Sequence, residues 1–330
     1  MFMDKKGNKK ADNFWKGLKK PIFVIAPMAN VTDMAFRSIF AKYGKPDVMW
    51  TEFVSADGLC SIGKDNLLHD LKFSNKERPI VAQLFTGNPE KMKGACKLVA
   101  ELGFDGIDIN MGCPDRAVEK QNAGAGLIKN PKLAKQIIRA AKEGAPHLPI
   151  SVKTRIGYNK VEIESWLTAL LEENISALTV HLRTRKEMSD VPAHWEIMPQ
   201  IVELKNKISP ETILLGNGDI MNLADAKTKV KESGCDGIMI GRGIFGNPWF
   251  FSGRIVSEID IKERLEIMLE HAKAFDKMLG KIKNFAIMKK HFKAYVSGWD
   301  GAKELRVKLM EANDLKEVSK IVKDYIKMLK

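Results

Sequence analysis

Eight short apolar runs rich in β-branched residues are separated by longer amphipathic stretches, and this alternation limits the folds open to the chain more than any other feature. The runs predict strands at 22–26, 48–53, 80–85, 105–110, 149–154, 177–181, 212–216 and 237–241. Between most of them, stretches such as 89–102, 131–143, 161–173 and 222–233 carry apolar residues at helical spacing. Strands that alternate with helices pair in parallel, because a parallel partner is reached only through a crossover. Eight such units in about 230 residues match a TIM (β/α)8 barrel in number and length. A doubly wound open sheet is the alternative, since spacing does not show closure.

The texture changes after Phe251. No strand pattern follows, and 257–279, 283–297, 301–311 and 314–328 read as helices, with apolar stripes such as Leu265, Met268, Leu269 and Ala272. Asn313 and Asp314 form a cap signal before the last of them. The expected organisation is a basic N-terminal extension over 1–20, an α/β barrel over 21–252 and a C-terminal helical domain over 253–330. The net charge of +13 is carried at the two ends: residues 1–20 hold seven Lys against two Asp, and residues 273–308 hold ten Lys or Arg against three acids. A positive field concentrated there favours a polyanionic partner, of which nucleic acid is the commonest soluble one.

No apolar run reaches the roughly 18 residues of a spanning helix. The lysine-rich N-terminus lacks the apolar segment of a secretory signal. No membrane partner is expected, and the expected compartment is the cytoplasm. The four cysteines, Cys60, Cys96, Cys113 and Cys235, form no CxxC pair and none stands beside a histidine at ligand spacing, which argues against a metal centre.

In a barrel of this kind, chemistry gathers at the C-terminal ends of the strands. The first strand runs into Ala26-Pro27-Met28-Ala29-Asn30, the third contains Gln83, and the fourth leads into Asn110-Met111-Gly112-Cys113-Pro114. Lys153 and Arg155 stand on the fifth, and the sixth ends in His181-Leu182-Arg183. Asn217-Gly218-Asp219 follows the seventh and Gly241-Arg242-Gly243 the eighth. Packing does not explain polar groups or glycines at nearly every strand end. The last two loops suit a phosphate, because glycine lets the backbone approach an anion and a helix N-terminus offers free N–H groups. Arg242 would add a charged contact. A single such glycine pair is an ordinary turn; the signal is the pair of them on the two loops where barrels hold phosphates.

Lys153 interrupts an otherwise apolar strand. Pointing inward it needs an anionic partner, for which a reduced flavin is suited; at the strand edge it would instead run its stem out to water. Cys113 is, on its own, either a packed loop thiol or a proton donor, since a thiol with a pKa of about 8.5 is mostly protonated at neutral pH.

Taken together and in this order, the strings resemble those of the tRNA-dihydrouridine synthases. The matching strings are Ala-Pro-Met-Ala-Asn-Val-Thr-Asp (26–33), Thr-Glu-Phe-Val-Ser-Ala (51–56), Ala-Gln-Leu-Phe (82–85) and Asp-Ile-Asn-Met-Gly-Cys-Pro (108–114). They continue with Ser-Val-Lys-Thr-Arg (151–155), His-Leu-Arg-Thr-Arg (181–185), Gly-Asn-Gly-Asp (216–219) and Met-Ile-Gly-Arg-Gly (239–243). The similarity covers residues 21–250 and extends more faintly through Lys290-His291 and Leu305-Arg306.

The resemblance implies an FMN-dependent oxidoreductase, reduced by NADPH or NADH, that saturates the C5–C6 double bond of particular uridines in tRNA. It implies that Pro27, Met28, Ala29, Gln83, Lys153 and His181 hold the flavin ring and ribityl chain. Asn217, Gly218, Asp219, Gly241 and Arg242 would bind the flavin phosphate, and Asn110 and Arg183 would contact the uracil. Flavin N5 would deliver hydride to C6, and Cys113 would protonate C5 from the opposite face. A monomer working without a metal is expected. Two departures fall where RNA should dock: Ala117 stands where the family has a basic residue, and Glu187-Met-Ser-Asp-Val-Pro192 replaces a Tyr-x-Gly element. Two other classes are an FMN barrel acting on a small molecule, of the dihydroorotate dehydrogenase kind, and a non-catalytic RNA-binding barrel. The first has no need of a basic helical tail, and the second no need of a set comprising Cys113, Lys153, His181 and Arg242.

Overall fold

The computed structural model describes residues 13–329. Eight strands make one sheet: β1 (Ile22–Ile25), β2 (Met49–Ser55), β3 (Ile80–Phe85), β4 (Gly106–Met111), β5 (Ile150–Arg155), β6 (Ala177–His181), β7 (Ile213–Asn217) and β8 (Gly237–Ile240). Their order is β1-β8-β7-β6-β5-β4-β3-β2. Neighbouring strands are parallel throughout. A parallel bridge between Val24 and Val48, with Asp47 N–H donating to Phe23 O at 2.9 Å, brings β1 to β2 and curls the sheet into a barrel. This is the TIM-type arrangement rather than the open sheet.

Helices α1 (Met34–Tyr43), α2 (Ala56–Leu59), α3 (Pro89–Glu101), α4 (Arg116–Glu119), α5 (Pro131–Gly144), α6 (Ile163–Leu171), α7 (Met198–Ile208) and α8 (Leu223–Ser233) connect successive strands. Local signals start them. Asn88 accepts from the N–H groups of Glu90 and Lys91 with Pro89 at the first position of α3, Asn130 repeats the device ahead of Pro131, and Asn222 caps α8.

The strand pattern has a period of two. Ile107, Ile109, Val152, Leu178, Val180, Leu214, Ile238 and Ile240 belong to the core shared with the helices. Ile22, Val24, Trp50, Val81, Ala177, Ile213, Leu215 and Met239 form a separate cluster inside the barrel. At the C-terminal end the corresponding positions become polar: Gln83, Asn110, Lys153, His181 and Asn217. The lower barrel is thus filled with hydrocarbon and the upper end carries the functional groups.

Residues 1–12 of the expected basic extension lie outside the described residues. From Asn13 onward the segment belongs to the barrel. Asn13 caps a short 3-10 turn (Phe14–Gly17), and Trp15, 2% exposed, joins the interior cluster with its ring centroid 5.9 Å from that of Trp50.

Beyond the barrel, α9 (Ile261–Leu279), α10 (Met288–Tyr295), α11 (Ala302–Glu311) and α12 (Leu315–Met328) share a second core. Helix α9 begins later than its periodicity suggests because the Asp260 carboxylate accepts from Lys262 N and Glu263 N and so fixes the start. Asp314 caps α12, accepting from Glu317 N at 2.8 Å. Ala35, Ile39 and Trp249 from the barrel enter the same core, so the helical region is packed against α1 rather than tethered to it. No helix among the described residues is long and apolar enough to cross a membrane.

Trp15 tests the barrel floor. Trp15→Ala is expected to cost about 3–5 kcal/mol, while Lys16→Ala next to it, 71% exposed, stays within about 0.5 kcal/mol. Urea unfolding of the two variants measures this; equal midpoints would mean that Trp15 does not support the floor.

Candidate active site

A cavity of about 260 Å³ opens at the C-terminal ends of β1 and β5 through β8. Among the expected residues, Pro27, Met28, Lys153, His181 and Arg183 line it. Asn217, Gly218, Asp219, Gly241 and Arg242 line it as well, on the β7 and β8 loops between them. Ala29 is exposed on the β1 turn, and Gln83, Asn110 and Cys113 lie beside the cavity, not in its wall.

The end formed by the β7 and β8 loops is built from backbone. Gly218 has φ 139° and Asp219 φ 54°, conformations that turn the chain sharply at the strand end. The N–H groups of Gly218, Asp219, Gly241 and Arg242 have no main-chain acceptor among the described residues. The Asp219 carboxylate accepts from Arg242 Nη2 at 2.6 Å, Ala193 N at 2.9 Å and Arg183 Nη2. Burial alone would raise its pKa, but Arg183, the Ala193 N–H and Arg242 outweigh that and hold the carboxyl below the usual range. Asp219 is therefore the fixed counter-charge that aims two guanidinium groups at the cavity. Arg242 remains 62% exposed, with donors to spare.

Lys153 sits deeper. Desolvation, with Arg155 adding, lowers its pKa to about 8 against the attraction of Asp108 and Cys113, and its ammonium forms no hydrogen bond or ion pair among the described residues. Desolvation and the surrounding Lys153, Arg155, Arg183 and Arg242 hold His181 neutral. Its Nε2 then accepts from Arg183 Nη1 at 3.1 Å. Arg183, expected on the uracil, is committed to His181, Asp219 and Val191 O.

Beside the cavity runs a line of buried polar groups. Asp108 accepts from Ser151 Oγ and Gln83 Nε2, both at 2.6 Å. Gln83 Oε1 accepts from Asn110 Nδ2 at 3.1 Å, and Asn110 Oδ1 accepts from Gly112 N at 3.1 Å and Cys113 N at 2.9 Å. Arg155 holds the same loop from the other side, its Nε donating to Gly112 O at 2.8 Å and its Nη1 to Thr184 O and Met188 O. The Cys113 side chain packs with Phe53 against Phe85, Val118 and Ala123. Burial pushes its thiol pKa up, while the Asp115 N–H, Lys153 and Arg155 favour the thiolate.

Asp108, Ser151 and Arg155 are not among the expected site residues. Asp108 and Asn110 are two apart on one strand, as are Ser151, Lys153 and Arg155. Side chains two apart share a face, and that signal finds them.

The profile of the dihydrouridine synthases (Dus) matches residues 24–330. The chain belongs to that family. It is 42% identical to a probable tRNA-dihydrouridine synthase 2 of Bacillus subtilis (strain 168), covering 95% of this chain and 97% of the relative. It is 41% identical to a probable tRNA-dihydrouridine synthase of Staphylococcus aureus (strain MRSA252), covering 95% and 96%. The histamine dehydrogenase of Rhizobium sp. 4-9 is similar in fold alone, with a TM-score of 0.54 at 13% identity over 81% of this chain. This chain spans 51% of that structure. The motif strings of this Dus family member thus sit on a barrel, around its cavity.

A thiol whose pKa is raised reacts as thiolate only at alkaline pH. In a Cys60→Ser background, iodoacetamide labelling of Cys113, followed by peptide mass spectrometry, is expected to rise with a midpoint above the roughly 8.5 of a free thiol. A midpoint below 8.5 would mean that the nearby cations outweigh burial.

Proposed function

We propose that the protein is an FMN-dependent tRNA-dihydrouridine synthase that reduces the C5–C6 double bond of uridine in tRNA. The observation that carries this reading is an unpartnered cation, Lys153, lining a cavity, with a protonated thiol, Cys113, on the loop beside it. The identity to probable tRNA-dihydrouridine synthases over nearly the full length gives the substrate class.

The residues fit a flavin mononucleotide. The free N–H groups of the β7 and β8 loops, with Arg242, suit its phosphate. Met28, Pro27 and Met239 offer apolar walls for a ring, and Lys153 and neutral His181 offer donors along its polar edge. Ala29 and Gln83 would support that cradle from outside, Gln83 through Asn110. Bound FMN, reduced by NADPH or NADH, supplies the hydride for uracil C6. Cys113 donates its proton to C5. Lys153, Arg155 and the Asp115 N–H then stabilise the thiolate, which makes a thiol of raised pKa a usable acid. Asn110 retains one free N–H for a uracil carbonyl, and Arg183 keeps two beyond its three contacts.

In this reading the barrel, residues 21–252, performs catalysis and the helical region, 253–330, docks RNA. Wholly or partly exposed cations there include Lys281, Lys289, Lys290 and Lys293. Lys283 is withdrawn, only 10% exposed and ion-paired to Glu52 and Asp70, and Arg306 donates to Val296 O. A single chain carries the whole site, no step calls for a metal, and the tRNA substrate puts the work in the cytoplasm.

Cys113→Ala tests the chemistry. The variant is expected to hold FMN and accept electrons from NADPH at the parental rate, yet to form dihydrouridine about 10²–10⁴-fold more slowly. Near-parental dihydrouridine formation would remove Cys113 from the mechanism. Lys289→Glu with Lys293→Glu tests the docking face. Affinity for tRNA should fall, and the salt dependence should flatten by roughly 0.7–0.9 in log–log slope for each phosphate that is no longer neutralised. An unchanged slope would move RNA binding to another surface.

A further inference from the structure

One lysine of the helical region is built into the barrel. Lys283, just past the end of α9, reaches back so that its Nζ lies 2.7 Å from Glu52 Oε2 and 2.7 Å from Asp70 Oδ1. Glu52 stands on β2, and its side chain is 6% exposed. Its other oxygen, Oε1, accepts from the backbone N–H of Asn30. Asn30 has φ 54°. Asparagine tolerates that left-handed region better than other residues with a side chain, and the Glu52 carboxylate fixes the N–H of the residue that adopts it.

The turn that Asn30 completes is Pro27-Met28-Ala29-Asn30, whose Pro27 and Met28 form a wall of the cavity. Met28 O receives the N–H groups of Val31 and Thr32 at 3.1 Å each, and Met28 N donates to Thr32 Oγ1 at 3.0 Å. The turn is therefore tied internally; Arg37 holds its far end, donating to Thr32 O at 2.7 Å, and Glu52 holds it at Asn30, beside the cavity wall.

We propose that Lys283 is a positioning residue for the cofactor-binding turn, acting through Glu52 and the Asn30 N–H, so that docking of the helical region and the shape of the cavity wall are one coupled event. Glu52 needs this cation. Asp33 and Asp70 lie close by, and burial, with Glu52 adding, raises the Asp33 pKa to about 6. Arg37 faces Asp33 and His69 Nε2 lies 3.2 Å from Asp70, so without Lys283 the cation left to Glu52 is Lys290, and Glu52 is drawn from Asn30 toward water. Lys42 provides the contrast: it pairs with Glu270 of α9 at 2.7 Å, also joining barrel to helical region, but is 56% exposed and touches nothing at the cavity.

The inference rests on the FMN reading, and its test uses affinity instead of turnover. FMN is titrated into full-length apoprotein and binding is followed by quenching of flavin fluorescence. Lys283→Gln is expected to raise the dissociation constant roughly tenfold and to shift the visible absorption of the bound flavin. Lys283→Arg restores most of the affinity, and Lys42→Gln leaves it unchanged. Glu52→Gln, nearly isosteric, loses the charge that holds Lys283 and with it the fixed orientation toward Asn30, and so weakens binding in the same direction if Lys283→Gln does not fold. Parental affinity in Lys283→Gln, or in Glu52→Gln, overturns the proposal, as does equal weakening by Lys42→Gln, which would mark a general loosening of the helical region. A parent apoprotein that takes up no FMN overturns the flavin reading itself, and this inference with it.

Discussion

A carboxylate with no exposure, Asp108, lies in the middle of the barrel, and the layer of polar groups above it follows from its burial. Burial raises its pKa to about 6, so it is still ionised at neutral pH and must be surrounded by donors and a cation. Ser151 and Gln83 supply the donors, and Lys153 supplies the charge. That assignment propagates. With its Nε2 given to Asp108, Gln83 presents Oε1 to Asn110; with Nδ2 turned to Gln83, Asn110 presents Oδ1 to the N–H groups of Gly112 and Cys113. The path of the loop that carries the thiol is thus set by a charge two side chains away. An amide at 108 would offer one acceptor oxygen where the carboxylate offers two, so Gln83 and Ser151 could no longer both donate to it.

The same barrel end has an excess of positive charge. Lys153, Arg155, Arg183 and Arg242 face inward or along the rim, with Asp108 and Asp219 as the nearby carboxylates. Their mutual repulsion is visible in the lowered pKa values of Lys153 and Arg155, about 8 and about 10. Desolvation is the larger cause in both, so the charges are held where water cannot relax them. Such an arrangement stabilises an anion without reorganising, and it is the condition under which a fixed cation is worth most. An anionic ligand in the cavity would answer that excess.

All eight strands were legible because barrel strands are apolar on both faces in their lower half, which gives unbroken β-branched runs flanked by polar ends. The polar residues at those ends were legible by type. Their partners were not. Nothing in Gly-Ile-Asp-Ile-Asn says that Asp108 orients Gln83, because the bond crosses from β4 to β3. Trp15 was hidden by its setting, a single aromatic pair in a lysine-rich segment with no periodicity to mark it. Charge counting had a similar blind spot. It ranks Lys283 with Lys293, although one is buried in an ion pair with Glu52 and the other faces solvent. Sequence gives the number of cations in a segment, and only packing divides them between structure and surface.

The loop where this chain departs from the family pattern, Glu187 to Pro192, shows how a site tolerates a changed rim. Arg155 donates to Thr184 O and Met188 O, and Arg183 donates to Val191 O. All three acceptors are backbone carbonyls, which every residue possesses. The guanidinium groups therefore fix the course of the loop without specifying its side chains. Within the loop, Glu187 accepts from Thr184 N at 2.7 Å and meets His194 Nε2 at 3.0 Å, closing the segment on itself. Arg185 holds the neighbouring rim by a two-pronged pair with Glu119, two residues beyond Ala117, the other point of departure. The loop path is thus held from below by Arg155 of β5 and by Arg183, two residues past β6. Arg155, which grips the rim, also grips Gly112 O beside Cys113, so the two loops are held by one guanidinium through backbone carbonyls alone, whatever side chains the rim presents.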